Sequence, residues 1–380
     1  MSKIIKLPFI RRLDQNLRHP SKLLQVILGP RQVGKTTSML AYLEENHAGR
    51  FHFVSADEIL SASSQWLRQQ WQTARQQNQL LVIDEIQKAA NWAETIKTLW
   101  DEGQRQNTPL DCVLLGSSSL EIQHGLTESL TGRFQLITAH HWNYAESQEG
   151  YQLSFDNFLK FGGYPGSYQF AGTAEWSRYV STSIIATVVE KDILQFNSVK
   201  NPALFKQAFE ILMAYPAMEI SYTKLLGQIQ ERGNVELVKH YMELYQGAFL
   251  IKVLEKYSSN QIRLKSSSPK ILPLAPCLYY LTLLDDYAPE EKGRAFESLV
   301  GAQLVRTGNK LYYWREGKFE VDFVLKEGRK LWAIEVKSGR KKSSQGLDAF
   351  LKKFPDARPM IITPENYIQF EADPMAFLNS

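Results

Sequence analysis

The sequence predicts an α/β protein assembled from several units, and three observations predict it. Short continuous apolar runs, LLQVIL at 23–28, LLVI at 80–83 and CVLLG at 112–116, alternate with helix-period stretches over the first 150 residues. That is the pattern of a parallel sheet whose strands are covered on both faces. A glycine-rich loop joins the first run to the first helix after it, and a second helix–strand–strand–helix series closes the chain behind a Ser/Pro-rich stretch. The 380 residues leave room for two to three domains at about 150 residues each.

Composition narrows the class. Hydrophobic residues make up 44% and charged residues 22%, ordinary for a globular chain with more than one core. The net charge of +4 is too mild to announce a polyanion-coating protein. Only Cys112 and Cys277 are present, far apart, so neither a disulfide framework nor a thiolate zinc site is expected, and each reads as a small core residue. His140-His141 and the other histidines lack ligand spacing. The opening MSKIIKLPFIRRLDQ lacks a signal-peptide cleavage pattern, and no apolar run approaches the roughly 18 residues of a membrane span. A cytoplasmic protein without a membrane partner is expected.

Taken in order, residues 1–19 form a lead and 20–150 the first α/β core. Gly29-Pro30-Arg31-Gln32-Val33-Gly34-Lys35-Thr36 fits G-x-x-x-x-G-K-[ST], followed by Thr37. Such a loop, set between a strand and a helix, turns backbone N–H groups toward a β-phosphate, and glycine permits the close approach. Lys35 is then placed to bridge β- and γ-phosphates, and Thr36 to offer a hydroxyl to Mg²⁺. ATP and Mg²⁺ are the expected ligands. LLVIDEIQ ends a buried strand in Asp84 and Glu85, where open α/β sheets place their ligands. Asp84 is the expected Mg²⁺-shell carboxylate and Glu85 the base for an attacking water. Ser117 or Ser118 at the end of the third strand is a candidate γ-phosphate contact. Arg133 in SLTGRF is a candidate arginine finger, a role that requires a homo-oligomer.

These segments together, GPRQVGKTT, LLVIDEIQ, LLGSSSLEI, ESLTGRF and the later GGYP, resemble the AAA-type (AAA_14-like) ATPases that carry a DUF4143 C-terminal region. The resemblance covers nearly the whole chain. It implies a P-loop NTPase parallel sheet of the ASCE type, a helical lid here assigned to 151–200, a winged helix, and a restriction-endonuclease-like α/β domain at the C-terminus.

The residues carry part of that reading themselves. Stretches 203–215, 222–230 and 235–246 read as three short helices, followed by the strand-like AFLIKVLEKY, a winged-helix pattern over 201–258. Lys239, His240 and Tyr241 on its last helix are candidates for a DNA groove. KSSSPKILPLAP at 265–276 reads as a linker within 259–289. In 290–380 a helix at 293–306, strands at 319–325 and 331–337, and a helix near 345–353 supply Glu297, Asp322, Glu335 and Lys337. D-x12-E-x-K resembles the PD-(D/E)xK nuclease signature. Phosphodiester hydrolysis uses clustered carboxylates to hold Mg²⁺ and a cation to steady the transition-state charge, so Glu297, Asp322 and Glu335 are the expected metal ligands.

Strand alternation supports the convergence. Burying Val321, Phe323 and Leu325 with Trp332, Ile334 and Val336 brings Asp322 to the face of Glu335 and Lys337. The proline that such signatures place before the first acid is missing: Glu320-Val321 precede Asp322. Residues 290–353 hold 15 Lys and Arg against 9 Asp and Glu, and Arg340, Lys341 and Lys342 follow directly on the lysine of the signature. DNA or RNA is therefore the expected macromolecular partner. The rival expectation is a nucleotide-dependent switch or scaffold whose C-terminal domain binds a partner without cutting it.

Overall fold

The computed structural model describes residues 5–18, 23–117, 120–194, 199, 201–229, 234–258, 267–283, 287–339 and 344–380. It comprises two compact units, residues 1–140 with 191–196, and residues 141–190 with 197–380. Among the described residues, no helix is long and apolar enough to cross a membrane.

The first unit is built on five parallel strands: β1 (Leu24–Leu28), β2 (Phe51–Ser55), β3 (Leu80–Asp84), β4 (Cys112–Gly116) and β5 (Phe134–Thr138), in the order β2-β3-β4-β1-β5. Every residue of β1, β3 and β4 is buried, which is why each reads as an unbroken apolar run rather than an alternating one. Helices Lys35–Asn46, Ser64–Gln76 and Trp92–Arg105 connect successive strands. The order sets β4 between β1 and β3 in parallel, so the loop after β1, the acidic pair that ends β3 and Ser117 after β4 all lie at the carboxyl ends of adjacent strands.

The second unit carries a seven-stranded mixed sheet. Its strands are β6 (Met218–Glu219), β7 (Ile251–Lys256), β8 (Lys270–Pro273), β9 (Lys310–Glu316), β10 (Phe319–Glu327), β11 (Lys330–Val336) and β12 (Arg358–Ile362), in the order β12-β11-β10-β9-β7-β8-β6. The expected helices appear at Pro202–Met213, Tyr222–Gln228 and Val235–Gly247. The strand after them is not a separate wing. β7 pairs antiparallel with β8 and parallel with β9, placing Glu255 opposite Tyr312, so it continues the C-terminal sheet. Tyr241, a candidate DNA contact, is buried edge-on against Phe205, with ring centroids 4.9 Å apart. The stretch expected as a linker carries β8 and the helix Pro276–Tyr280, both largely buried.

The glycine pair of GGYPG ties this unit together. Gly163 accepts from the Trp142 amide at 3.0 Å, and Gly162 accepts from the Cys277 amide at 3.2 Å. Residues 141–150 belong here as well, because Glu371 accepts the Tyr144 and Ala145 amides at 2.9 Å each and Arg306 pairs with Glu146 at 3.0 Å. A carboxylate capping the start of helix Tyr144–Tyr151 satisfies donors that the helix itself cannot.

The expected β10–β11 register is present: Phe323 stands opposite Ile334 and Leu325 opposite Trp332. The β10–β9 pairing slips between Val321 and Val324. That bulge turns Val321 away from the expected Phe323–Leu325 set and into a core with Trp314, Val324, Ala333, Leu347 and Phe350.

Candidate functional site

The loop after β1 is shaped by two glycines. A Cβ on Gly29 would lie 2.0 Å from the Ala139 carbonyl oxygen, and Gly34 has φ of 85°, a left-handed backbone that other residues adopt at a cost. Lys35 opens the helix Lys35–Asn46 and is buried; its Nζ donates to the carbonyl oxygens of Gly29 at 2.9 Å and Pro30 at 2.7 Å. The ammonium is thus held inside the curve of its own loop. Arg31, Gln32, Val33 and Thr37 complete the segment, with Gln32 also at positive φ.

The acidic pair faces that loop. Thr36 Oγ1 donates to Asp84 Oδ2 at 2.7 Å, and the Glu85 amide donates to Asp84 Oδ1 at 2.9 Å. Burial raises the Asp84 carboxyl above its ordinary range, and the Thr36 hydrogen bond opposes that rise. A hydroxyl and a carboxylate oxygen brought together this way form a hard-oxygen donor set that fits Mg²⁺.

Glu85 adopts φ of 50°, so the chain turns sharply after β3 into the short 3-10 turn Ile86–Lys88. The turn returns Gln87 to the site, where sequence reasoning did not look for it. Gln87 Nε2 donates to Glu85 Oε2 and to Ser117 Oγ at 3.3 Å, and Ser117 Oγ donates to the same Glu85 oxygen at 3.0 Å. A polar residue two beyond an acidic pair, in an otherwise apolar turn, was the available signal. Ser117 is therefore assembled with Glu85, while Ser118 lies outside the described residues.

Arg133 is placed differently from the expected finger. Its Nε and Nη2 donate to Asp101 Oδ1 and Oδ2 at 2.8 and 3.1 Å, Nη1 donates to the Thr131 carbonyl at 3.2 Å, and its guanidinium lies 5.5 Å from the Trp100 ring centroid. A bidentate fork of this kind spends most of the guanidinium's donors within its own chain.

In the second unit Asp322 on β10 acts electrostatically on Glu335 of β11, and Asp322 Oδ2 accepts the Val336 amide at 2.8 Å. Burial, reinforced by Asp322, pushes the Glu335 carboxyl up to about 8, and Lys337 opposes it; Glu335 Oε2 is buried without a hydrogen-bond partner. Glu297, on helix Pro289–Arg306, lies in the same electrostatic neighbourhood.

Its nearest partner is Lys270 of β8, within the stretch expected as a linker. Lys270 Nζ donates to Glu297 Oε1 at 2.6 Å and to the Asp322 carbonyl at 3.2 Å. The signal was present: a single lysine inside the apolar run PKILPLAP. Burial pushes the Glu297 carboxyl up to about 7, and Lys270 opposes the rise. Among the described residues, no three His, Cys, Asp or Glu side chains stand together as a metal site requires, so Glu297, Asp322 and Glu335 are not gathered as a ligand triad. Arg340, Lys341 and Lys342 lie outside the described residues.

Residues 21–148 match the family model AAA_14, described as an AAA domain. Residues 152–284 match DUF8612 and residues 292–377 match DUF4143, each described as a domain of unknown function. None of the curated protein sequences matches the chain. Among solved structures it is similar to the Walker-type ATPase PABY2304 of Pyrococcus abyssi, at 14% identity and a TM-score of 0.54, covering 74% of this chain and 96% of that one. It is also similar to the RuvB Holliday junction branch migration motor of Thermotoga maritima (15% identity, TM-score 0.35, 64% and 86% covered). A further similarity is to AMPPCP-bound DnaA from Aquifex aeolicus (12% identity, TM-score 0.32, 62% and 86% covered). The loop, the strand order and the similar structure agree that the N-terminal part has the P-loop ATPase fold, where residues 21–148 match the AAA_14 model, while residues 292–377 match the DUF4143 model.

Proposed function

We propose that this protein is a Mg²⁺-dependent ATP phosphohydrolase whose C-terminal unit, of nuclease-like type, binds nucleic acid. The observation that carries the first half is the Thr36–Asp84 contact at 2.7 Å beside a lysine enclosed by its own glycine-rich loop. The backbone N–H groups from Arg31 to Thr37 receive the phosphates, and the Lys35 ammonium exchanges its two carbonyl partners for phosphate oxygens. Thr36 and Asp84 would hold Mg²⁺, which when bound would supply charge neutralisation to the phosphates. Gln87 and Ser117 both donate to Glu85 Oε2. They fix the carboxylate so that Oε1 accepts the proton of the attacking water. Arg133 acts as a tie to Asp101 rather than as a finger on a second copy.

Lys35→Ala tests this reading. ATP turnover by the full chain should be lost; turnover equal to that of the unsubstituted protein sinks the assignment. The nucleic-acid half is supported by the 15 Lys and Arg against 9 Asp and Glu over residues 290–353. It calls for binding of plasmid or single-stranded nucleic acid that weakens steeply with salt. Binding that is absent at low salt would favour the switch or scaffold reading.

A further inference from the structure

The carboxylates of the C-terminal unit resemble a metal centre in their identity but not in how they are partnered. Lys270 sits on β8, the penultimate strand of the sheet between β7 and β6, with Leu254 and Glu219 as its cross-strand neighbours. Its side chain is 1% exposed. An ammonium has three protons to place; two are donated in hydrogen bonds, and a second carboxylate lies within ion-pair range. Glu297 Oε1 lies at 2.6 Å, the Asp322 carbonyl oxygen at 3.2 Å, and Glu320 Oε1 at 3.8 Å. The Phe323 ring closes the remaining side, its centroid 5.0 Å from Nζ, and offers its negative face to the cation. Two carboxylates, a carbonyl and an aromatic face are the environment that a bound cation receives, and here the chain supplies the cation itself.

We propose that Lys270 is the resident cation of the C-terminal carboxylate cluster, and that this unit therefore engages its partner without a divalent metal and without metal-dependent cleavage. A divalent ion on Glu297 would have to sit within a few ångströms of a buried ammonium that cannot withdraw into water. The competing sign is Glu335, whose buried Oε2 is unpartnered. A single carboxylate makes a poor site, however, and its neighbours are engaged: Asp322 Oδ2 by the Val336 amide and Glu297 Oε1 by Lys270. The inference concerns the second unit alone, so it stands or falls independently of ATP turnover in the first. It rests on the nuclease-like reading only for the expectation that it overturns.

The test is equilibrium Mn²⁺ binding to the full chain without nucleotide, compared with Glu297→Gln and Glu335→Gln. The expected result is the same binding curve for all three proteins. A Mn²⁺ site in the unsubstituted chain that disappears in either variant overturns the proposal. Lys270→Met should gain a Mn²⁺ site that Lys270→Met/Glu297→Gln lacks, and absence of that gain also counts against it. Should Lys270→Met not fold, the double variant, with both charges removed, should restore folded protein; failure to do so refutes the pairing role. ATP turnover measured on the same proteins separates this outcome from the fate of the P-loop reading.

Discussion

Both units set an aspartate and a glutamate beside β-strands, yet the chain treats the two groups in opposite ways. Beside β3, Asp84 receives neutral donors, the Thr36 hydroxyl and the Glu85 amide, and Lys35 is kept on loop carbonyls. In the second unit, Glu297 receives the buried ammonium of Lys270 from β8, which also donates to the backbone carbonyl of Asp322. In the first case negative charge remains to be balanced from outside; in the second the charge of Glu297 is balanced from within. Acid identity and spacing alone therefore do not define a cation site. The charge of whatever the fold brings against the acids decides it.

The sharpest ways to break this comparison act on the first unit. Glu85→Gln should lower ATP turnover by about 10²–10⁴-fold while leaving nucleotide binding intact, as read by steady-state kinetics beside equilibrium binding. A drop below tenfold would remove Glu85 from the chemistry.

The next largest effect belongs to Lys270. Its loss leaves Glu297 without a partner, for which breaking a buried pair suggests about 3–5 kcal/mol, reduced because Glu297 remains 21% exposed. Denaturant unfolding should show Lys270→Met less stable than Lys270→Met/Glu297→Gln. The reverse order would mean that Lys270 works through packing.

A pH series sharpens the same contrast. The carboxyls of Glu335 and Glu297 are raised from 4.5 to about 8 and about 7, in both cases first by burial. The folded state holds these protons more tightly than the unfolded chain does. Their contribution to stability is therefore complete below about pH 4.5 and fades as pH rises through 7 to 8. Glu335→Gln should flatten the decline over that window, and an unchanged slope would place its source elsewhere. The smallest effect is expected at Arg133: Arg133→Ala should change turnover by less than about threefold, since its fork is spent on Asp101. A loss near 10³-fold, the scale of an arginine finger, would restore that role.

How far the sequence was legible follows the range of the interactions. β1, β3 and β4 could be read because a strand buried on both faces is apolar throughout. Gly29 to Thr36 could be read because backbone phosphate binding demands a fixed spacing. The Phe323–Ile334 pairing followed from alternation, but Val321 did not, because the bulge after it is set by pairing with β9. Gln87 escaped notice because its position depends on the left-handed backbone of Glu85. The union of β7 with β9 joins residues 255 and 312, and Glu371 caps a helix that starts at Tyr144. Neither contact leaves a local trace. Lys270 was hidden by its serine- and proline-rich neighbours, whose composition imitates a linker while its own side chain is among the most buried in the unit.

The comparison is tested most directly by counting Mn²⁺ on the full chain in the presence of a non-hydrolysable ATP analogue. A single nucleotide-dependent equivalent is expected, lost in Asp84→Asn and untouched by Glu297→Gln or Glu335→Gln. A second equivalent that either C-terminal substitution abolishes would contradict it.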